Sequence, residues 1–529
     1  MPAITSPTSA QPPQSSQLPA ASWHLVATTV LACLGVFVSY LPVVGVSVTL
    51  PVIQQALSAS TTSLQWITDL FIMPSAALLL TCGVLGDIFG RKKVYLAGLA
   101  LVVTGGLVCL TANSVVQLCV GQALTGVGTA ALMPSTLSLL THICAERRQR
   151  TRAIALWTAS LGLGLTLGPL VNGLIVAHAS WRWIFLPCVV LGALIGVAGA
   201  FLLADSRAGR ERQLDVPGQL LAIVAIAALV YAVIEGGVTG WGSAEVVVAF
   251  VVAVLALAAF VVTELRSAHP MLDMRLFSSL AFSGTAAVMC LTLFAQVGLV
   301  FTLSEYFGLA QHASTLDIAV RLVALNGFTV VLGPLVGRLM IRTTPGLVLV
   351  VGLVVSGVGA LLVTTFDPSS GIAVSAAVIG VLGIGIALAT APITTIAMNS
   401  LPSRLAPTVG AANSALRQIG SALGPAAFGV LLTNRTLSAL PGHLAASGLH
   451  TADRNRVLGV VADTGIQAGA VLRLPTGRAT AQAHAVYGAS FTDALHICAI
   501  VGGAGMFAAA AIALVTIGVR RSAHNTAAG

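Results

Sequence analysis

Gly83-Val84-Leu85-Gly86-Asp87-Ile88-Phe89-Gly90-Arg91-Lys92-Lys93 joins two long apolar runs, Trp66 to Leu85 and Val94 to Ala112. A tight, charged turn therefore sits between two membrane-length helices. Its small residues let the two helix ends approach closely. Asp87 is suited to cap or face a helix N-terminus, and three adjacent cations favour the cytoplasmic side of a bilayer. So specific a turn reads as a moving joint rather than a passive loop.

Around this turn the composition is that of a membrane protein. Of 529 residues, 57% are hydrophobic and only 8% charged, and 54 are glycine. The mean hydropathy is +0.98, far outside soluble globular values. A spanning helix needs roughly 20 apolar residues. Runs of that kind begin near Leu25, Trp66, Val94, Val115, Arg152, Ile184, Val216, Ala244, Ala281, Ile318, Gly346, Ile372, Thr408 and Thr492. The chain thus reads as an all-α polytopic membrane protein of about fourteen spans. A transmembrane β-barrel would show alternating segments of about ten residues instead.

The pI near 9.5 raises the question of nucleic acid, but the cations are distributed by membrane side. Of 25 Lys and Arg, the loops on one side hold Arg91, Lys92, Lys93, Arg147, Arg148, Arg150, Arg152, Arg207, Arg210, Arg212, Arg266, Arg275, Arg338, Arg342, Arg404, Arg520 and Arg521. The short loops opposite carry only Arg182. This is the positive-inside pattern and predicts both termini in the cytoplasm, with no nucleic-acid partner. The eight cysteines lie scattered in apolar segments without CxxC spacing, as packing residues do. The ten histidines lack metal-ligand spacing, so no metal and no resident cofactor are expected. Neither a Walker motif nor HExxH nor a nucleophile elbow is present, which argues against an enzyme.

Internal repetition divides the chain. Gly164-Leu-Thr-Leu-Gly168-Pro169-Leu-Val-Asn-Gly173 recurs as Gly420-Ser-Ala-Leu-Gly424-Pro425-Ala-Ala-Phe-Gly429, shifted by 256 residues. Gly126-Val-Gly128 recurs as Gly383-Ile-Gly385, shifted by 257, and the opening turn recurs in worn form as Gly333-Pro-Leu-Val-Gly337-Arg338, shifted by 250. Three features in one order at nearly one period indicate two homologous halves, related about the membrane normal and enclosing a cavity. The expected layout is a disordered tail (1–23), a six-helix half (24–205), two inserted helices (206–275) and a second six-helix half (276–519). Within that second half, 434–490 reads as an external loop, either a lid or a tolerated insertion, and 520–529 is a cytoplasmic tail.

Together these residues resemble the major facilitator superfamily, specifically its fourteen-span drug:proton antiporters and their quaternary-ammonium and multidrug efflux branch. The Gly83–Lys93 turn resembles the superfamily's signature loop. Gly164-x3-Gly168-Pro169-x3-Gly173 resembles the antiporter motif, with Asn172 in place of a glycine. Trp181-Arg-Trp-Ile-Phe185, Gly410-Ala-Ala-Asn413-x3-Arg417-Gln-Ile-Gly420 and Leu64-Gln-Trp66-Ile-Thr-Asp69 also fit. Two departures stand together. The first helix carries Pro42 where the family has an acid, and the fourth carries Gln122 and Thr125 in the stretch where the family has an arginine. A buried charge without its partner is costly, so their joint loss is physically coherent.

Proton coupling needs an acid in a low-dielectric, water-reachable place. Asp69, about one turn into the second helix, is the first candidate; the alternative is a boundary residue that helps the helix start. Glu305 closes the ninth helix, and Asp317 opens the tenth. Asp317 and Arg321 stand four apart and are placed for an ion pair. Gln122, Asn413 and Arg417 are candidate cavity residues. Gly83, Asp87, Gly90, Arg91, Lys92, Lys93, Gly333 and Arg338 form the expected cytoplasmic gate, with Asp87 and Arg91 latching across to the second half. Gly164, Gly168, Pro169, Gly173, Gly420, Gly424 and Pro425 form the expected hinges. The resemblance implies a monomeric transporter of the bacterial inner membrane. It would export lipophilic or cationic small molecules by alternating access, driven by the proton gradient. Export of one endogenous metabolite and transport uncoupled from protons are the alternatives.

Overall fold

The computed structural model describes residues 20–144, 147–204, 215–267, 274–400, 406–464 and 477–517, with positions 270, 272, 468 and 474 between them. Every regular element among these is a helix. The α-helices are α1 (Ala20–Leu57), α2 (Thr61–Phe89), α3 (Arg91–Leu110), α4 (Val115–Ile143), α5 (Arg147–His178), α6 (Leu186–Leu202), α7 (Val216–Thr239) and α8 (Ala244–Arg266). They continue with α9 (Leu280–Glu305), α10 (Thr315–Arg342), α11 (Pro345–Leu362), α12 (Ile372–Asn399), α13 (Ala406–Ala446), α14 (Thr451–Thr464) and α15 (Gly477–Thr516). Side chains that accept a backbone N–H set several starts, including Ser60 for α2, Ser114 for α4 and Thr344 for α11.

Among the described residues, twelve helices are long and apolar enough to cross a membrane, and the bent α2 makes a thirteenth. The run expected as a further span near Thr408 is α13, a 41-residue helix packed against α9, α2 and α15. Most of the expected tail (1–23) and all of 520–529 lie outside the described residues, but α1 already begins at Ala20. Stretch 434–490 differs more from expectation. It is not an open loop: α13 runs on to Ala446, α14 follows, and α15 begins at Gly477. Leu440, Leu444, Leu449, Val457, Ala479 and Ala483 are buried in one core with Leu309 and Phe366, so these helices cap that end of the second half.

The repeat shows as equivalent packing. α5 lies on α1 where Gly164 faces the Phe37 carbonyl, and α13 lies on α9 where Gly420 faces the Cys290 carbonyl. Likewise a Cβ on Gly128 would come within 2.7 Å of the Gly98 carbonyl of α3, while Gly385 meets Gly352 of α11. Between the halves, α7 packs against α2 and α13, and α8 packs against α7.

α7 also explains the shape of α2, whose limbs Thr62–Leu79 and Thr81–Phe89 meet at 53°. Gln219 Nε2 donates to the Ala77 carbonyl at 2.7 Å, the acceptor that the Thr81 amide would use in a straight helix, and the Thr81 hydroxyl donates to Gln219 Oε1. A side chain inserted into the helical ladder bends it.

Candidate functional site

The seam between the halves is tight at one end and parted at the other. Along α5 and α10, Gly173 meets Leu316 and Ala319, Thr166 meets Gly327, and Gly162 meets Val330. Asn326 Nδ2 donates to the Leu165 carbonyl at 3.5 Å on the same line. Beyond Val330 the line opens at two glycines of the same face: a Cβ on Gly333 or Gly337 would find nothing within 4 Å. At the tight end Pro51 of α1 packs on Gly308 just after α9, and Gln65 of α2 packs on Gly429 of α13. Phe71 and Ile72 join Ala422 and Ala426 in a core with Val230 and Ile234 of α7. The parted end is that of the Gly83–Lys93 turn.

Two buried acids, Asp69 and Glu305, lie under the tight end. Asp69 is fully buried, and neither carboxylate oxygen has a hydrogen-bond partner among the described residues. The same holds for both oxygens of Glu305. The side chains of Gln54 of α1 and Asn172 of α5 are also buried there with no partner among the described residues, and Gln54 carried no motif that would have singled it out. Gln122 Nε2 donates to the Ile67 carbonyl at 3.4 Å, so the residue standing in the arginine's stretch holds α4 to α2 two residues from Asp69. It also lines a small enclosed cavity with Val46, Thr68, Phe71 and Ile72.

Asp317 and Arg321 do not form the expected ion pair. Asp317 completes a capping box with Ser314, and its Oδ2 accepts the Ser314 hydroxyl at 2.8 Å. Arg321 turns instead to Gln311, donating to Oε1 at 2.7 Å, and lies 4.3 Å over the Phe307 ring. Gln311 in turn donates to the carbonyls of Asp367 and Ser370. The pair therefore serves helix capping and loop tethering on two separate networks.

The turn itself is built on Gly90, which ends α2 and starts α3 at φ +110°, a conformation that L side chains rarely adopt. Its amide donates to the Gly86 carbonyl, and a Cβ on Gly83 would rest 3.6 Å from Pro134. Arg91 reaches back to Asp87 at 3.4 Å and donates to the Ser138 carbonyl of α4 at 3.3 Å. Lys92 Nζ donates to the Ala200 carbonyl at the end of α6, while Lys93 is exposed. In this conformation Asp87 and Arg91 meet each other within the first half. The second-half copy, Gly333 and Arg338, is exposed.

Among the hinge candidates, Gly168, Pro169, Gly173, Gly424 and Pro425 are buried and both prolines sit inside unbroken helices. A Cβ on Gly424 would stand 2.8 Å from the backbone of Gly298 and Phe294. Arg417 reaches across the seam from α13, donating to the Tyr40 hydroxyl of α1 at 3.1 Å. Asn413 lies on α13, and its side chain falls outside the described residues.

Comparison with known proteins agrees with this architecture. Residues 32–425 match the family model of the Major Facilitator Superfamily. The chain is 32% identical over 417 residues to the multidrug resistance protein Stp of Mycobacterium tuberculosis, covering 79% of this chain and 78% of that one. It is 30% identical over 493 residues to the tetracenomycin C resistance and export protein of Streptomyces glaucescens, covering 92% and 91%. A bacterial homolog of the human lysosomal transporter Spinster, solved inward-facing and unoccupied, has the same fold at 17% identity, with a TM-score of 0.61 over 96% of this chain and 99% of that one. Two homologous helical halves around a seam parted at one end, in a chain with these relatives, are those of a membrane transporter, and the protein belongs to the Major Facilitator Superfamily.

Proposed function

We propose that the chain exports lipophilic small molecules in exchange for protons, by alternating access. The observation that carries this reading is the asymmetric seam: two fully buried acids without a hydrogen-bond partner among the described residues, Asp69 and Glu305, lie beneath its tight end while the other end is parted. Relatives named for multidrug resistance and for tetracenomycin C resistance and export support the drug class and the outward direction. The cation-rich loops support a cytoplasmic parted end, and with it an inward-facing conformation.

A buried carboxylate without hydrogen-bond donors is costly when ionised, so Asp69 and Glu305 are carried neutral through a sealed state. Parting of the seam at their end would hydrate them and release the proton-bearing site to the other side. Closure at the Gly83–Lys93 end would then bring the turn against the Gly333 copy. In that state Asp87 and Arg91 would exchange their mutual contact for partners in the second half.

The test is accumulation of a lipophilic dye by energised everted vesicles, the dye being chosen from a susceptibility panel on deletion and overexpressing strains. Wild-type vesicles should accumulate it and lose it on adding an uncoupler. Accumulation that an uncoupler leaves untouched would remove proton coupling.

A further inference from the structure

Arg417 is the one charged side chain seen to cross the seam among the described residues, and its environment is unusual for a guanidinium at membrane depth. Its contacts are the Tyr40 hydroxyl at 3.1 Å and the Tyr40 ring, 5.9 Å from the guanidinium carbon. Both are neutral. No carboxylate of a described residue lies within 4.0 Å, whereas Arg91 has Asp87. Arg417 is partly exposed, and the Tyr40 hydroxyl is the one side-chain acceptor seen for it among the described residues, so its other N–H donors are left for a ligand.

Its depth follows from the two helices that hold it. Arg417 lies twelve residues before Gly429 on α13, and Tyr40 lies eleven before Pro51 on α1. Both helices thus place the pair about 16–18 Å below the tight end, at the roof of the parted cleft. Asp69 is level with Ala422 and Ala426 on the neighbouring helix, beneath the seal and out of reach. Nor does the repeat require the charge: the counterpart of Arg417, 256 residues earlier, is Leu161.

A permanently charged, planar fork of donors, braced on an aromatic face and open to solvent, matches a carboxylate or another delocalised oxyanion. A cation would be repelled there. We propose that Arg417, held by Tyr40, binds the acidic group of the transported molecule, and that the chain exports lipophilic organic acids in preference to the cations the family resemblance implies. The inference rests on the transport reading and names its substrate class.

Two probes of one aromatic body test it: pyrenebutyrate and its trimethylammonium analogue, measured on the full-length protein in lipid nanodiscs and in everted vesicles. The butyrate should bind wild type at least about tenfold more tightly than the ammonium, one charged contact's worth. Arg417→Gln should bring the two within about twofold, Arg417→Lys should keep part of the preference, and Tyr40→Phe should cost the butyrate about threefold or less. Where Arg417→Gln does not fold, Arg417→Lys and Tyr40→Ala carry the comparison, each with a reduced preference for the butyrate. Equal butyrate affinity in wild type and the Arg417 variants, or tighter binding of the ammonium, would overturn the proposal. Vesicles that accumulate the ammonium but not the butyrate would also overturn it, leaving transport intact. Vesicles that move neither probe nor any panel dye, while the butyrate binds as stated, would instead sink the transport reading and leave the site standing.

Discussion

Asp69 and Asp317 are both acids in the N-terminal part of a membrane helix, yet of the two only Asp317 has side-chain hydrogen-bond partners among the described residues. Asp317 caps its own helix, so Asp317→Asn should lower the stability of the purified protein by about 0.5–1 kcal/mol and leave coupled transport unchanged. A lost response to the proton gradient in that variant would restore it as a coupling candidate. Asp69 was legible in sequence because an acid inside an apolar run has no ordinary reason to be there. The Asp317–Arg321 reading failed for a physical reason. Spacing places two side chains on one face, but Ser314 and Gln311 offer each a nearer partner. Outside the spans, the Ser369 hydroxyl and amide, with Ser370, hold the Asp367 carboxyl below the usual carboxylate range. A carboxyl depressed in the folded state contributes stability above its unfolded range, and that contribution is lost as pH falls through the folded value. Asp367→Asn should therefore flatten the decline of thermal stability between about pH 5 and pH 3. An unchanged acid limb would show that the loop contributes nothing.

At the scale of elements, the bend of α2 and the close contact of α9 with α13 are the features most exposed to test. Gln219→Leu returns the Ala77 carbonyl to its own helix. Straightening 53° across limbs of 18 and 9 residues lengthens α2 by about 4 Å. Spin labels at Ser63 and Phe89 would report that distance, and an unchanged one would mean that Gln219 follows the bend rather than causing it. Gly424→Ala would press a methyl on the α9 backbone and should destabilise by about 1–3 kcal/mol. Gly333→Ala meets open space in this conformation and should leave stability unchanged or raise it by up to about 1 kcal/mol while slowing transport, if a gate closes there in the other state. Equal behaviour of the two variants would argue against a gate at Gly333. Helix number and order were legible because lipid demands long apolar runs. The helices of 434–490 were not, since a polar, alanine-rich stretch forms a helix from propensity and one buried face, without any such run. Nor could a sequence scan foresee that Gln219 of the inserted pair would reach into α2.

For the whole molecule, the two halves could be read from residues repeated at one period, and the structure returns them as equivalent packing at Gly164 and Gly420. Which end of the seam is closed was not legible, because one sequence serves every conformation the chain adopts and only packed coordinates distinguish them. If Asp69, sealed beneath the tight end, links seam opening to proton movement, that link can be measured directly. The direct measurement compares wild type with Asp69→Asn in reconstituted vesicles, once with a proton gradient and once under substrate exchange without one. Wild type should accumulate substrate uphill on the gradient, while Asp69→Asn should exchange substrate normally but no longer accumulate it. Uphill accumulation by Asp69→Asn at the wild-type level would contradict that link.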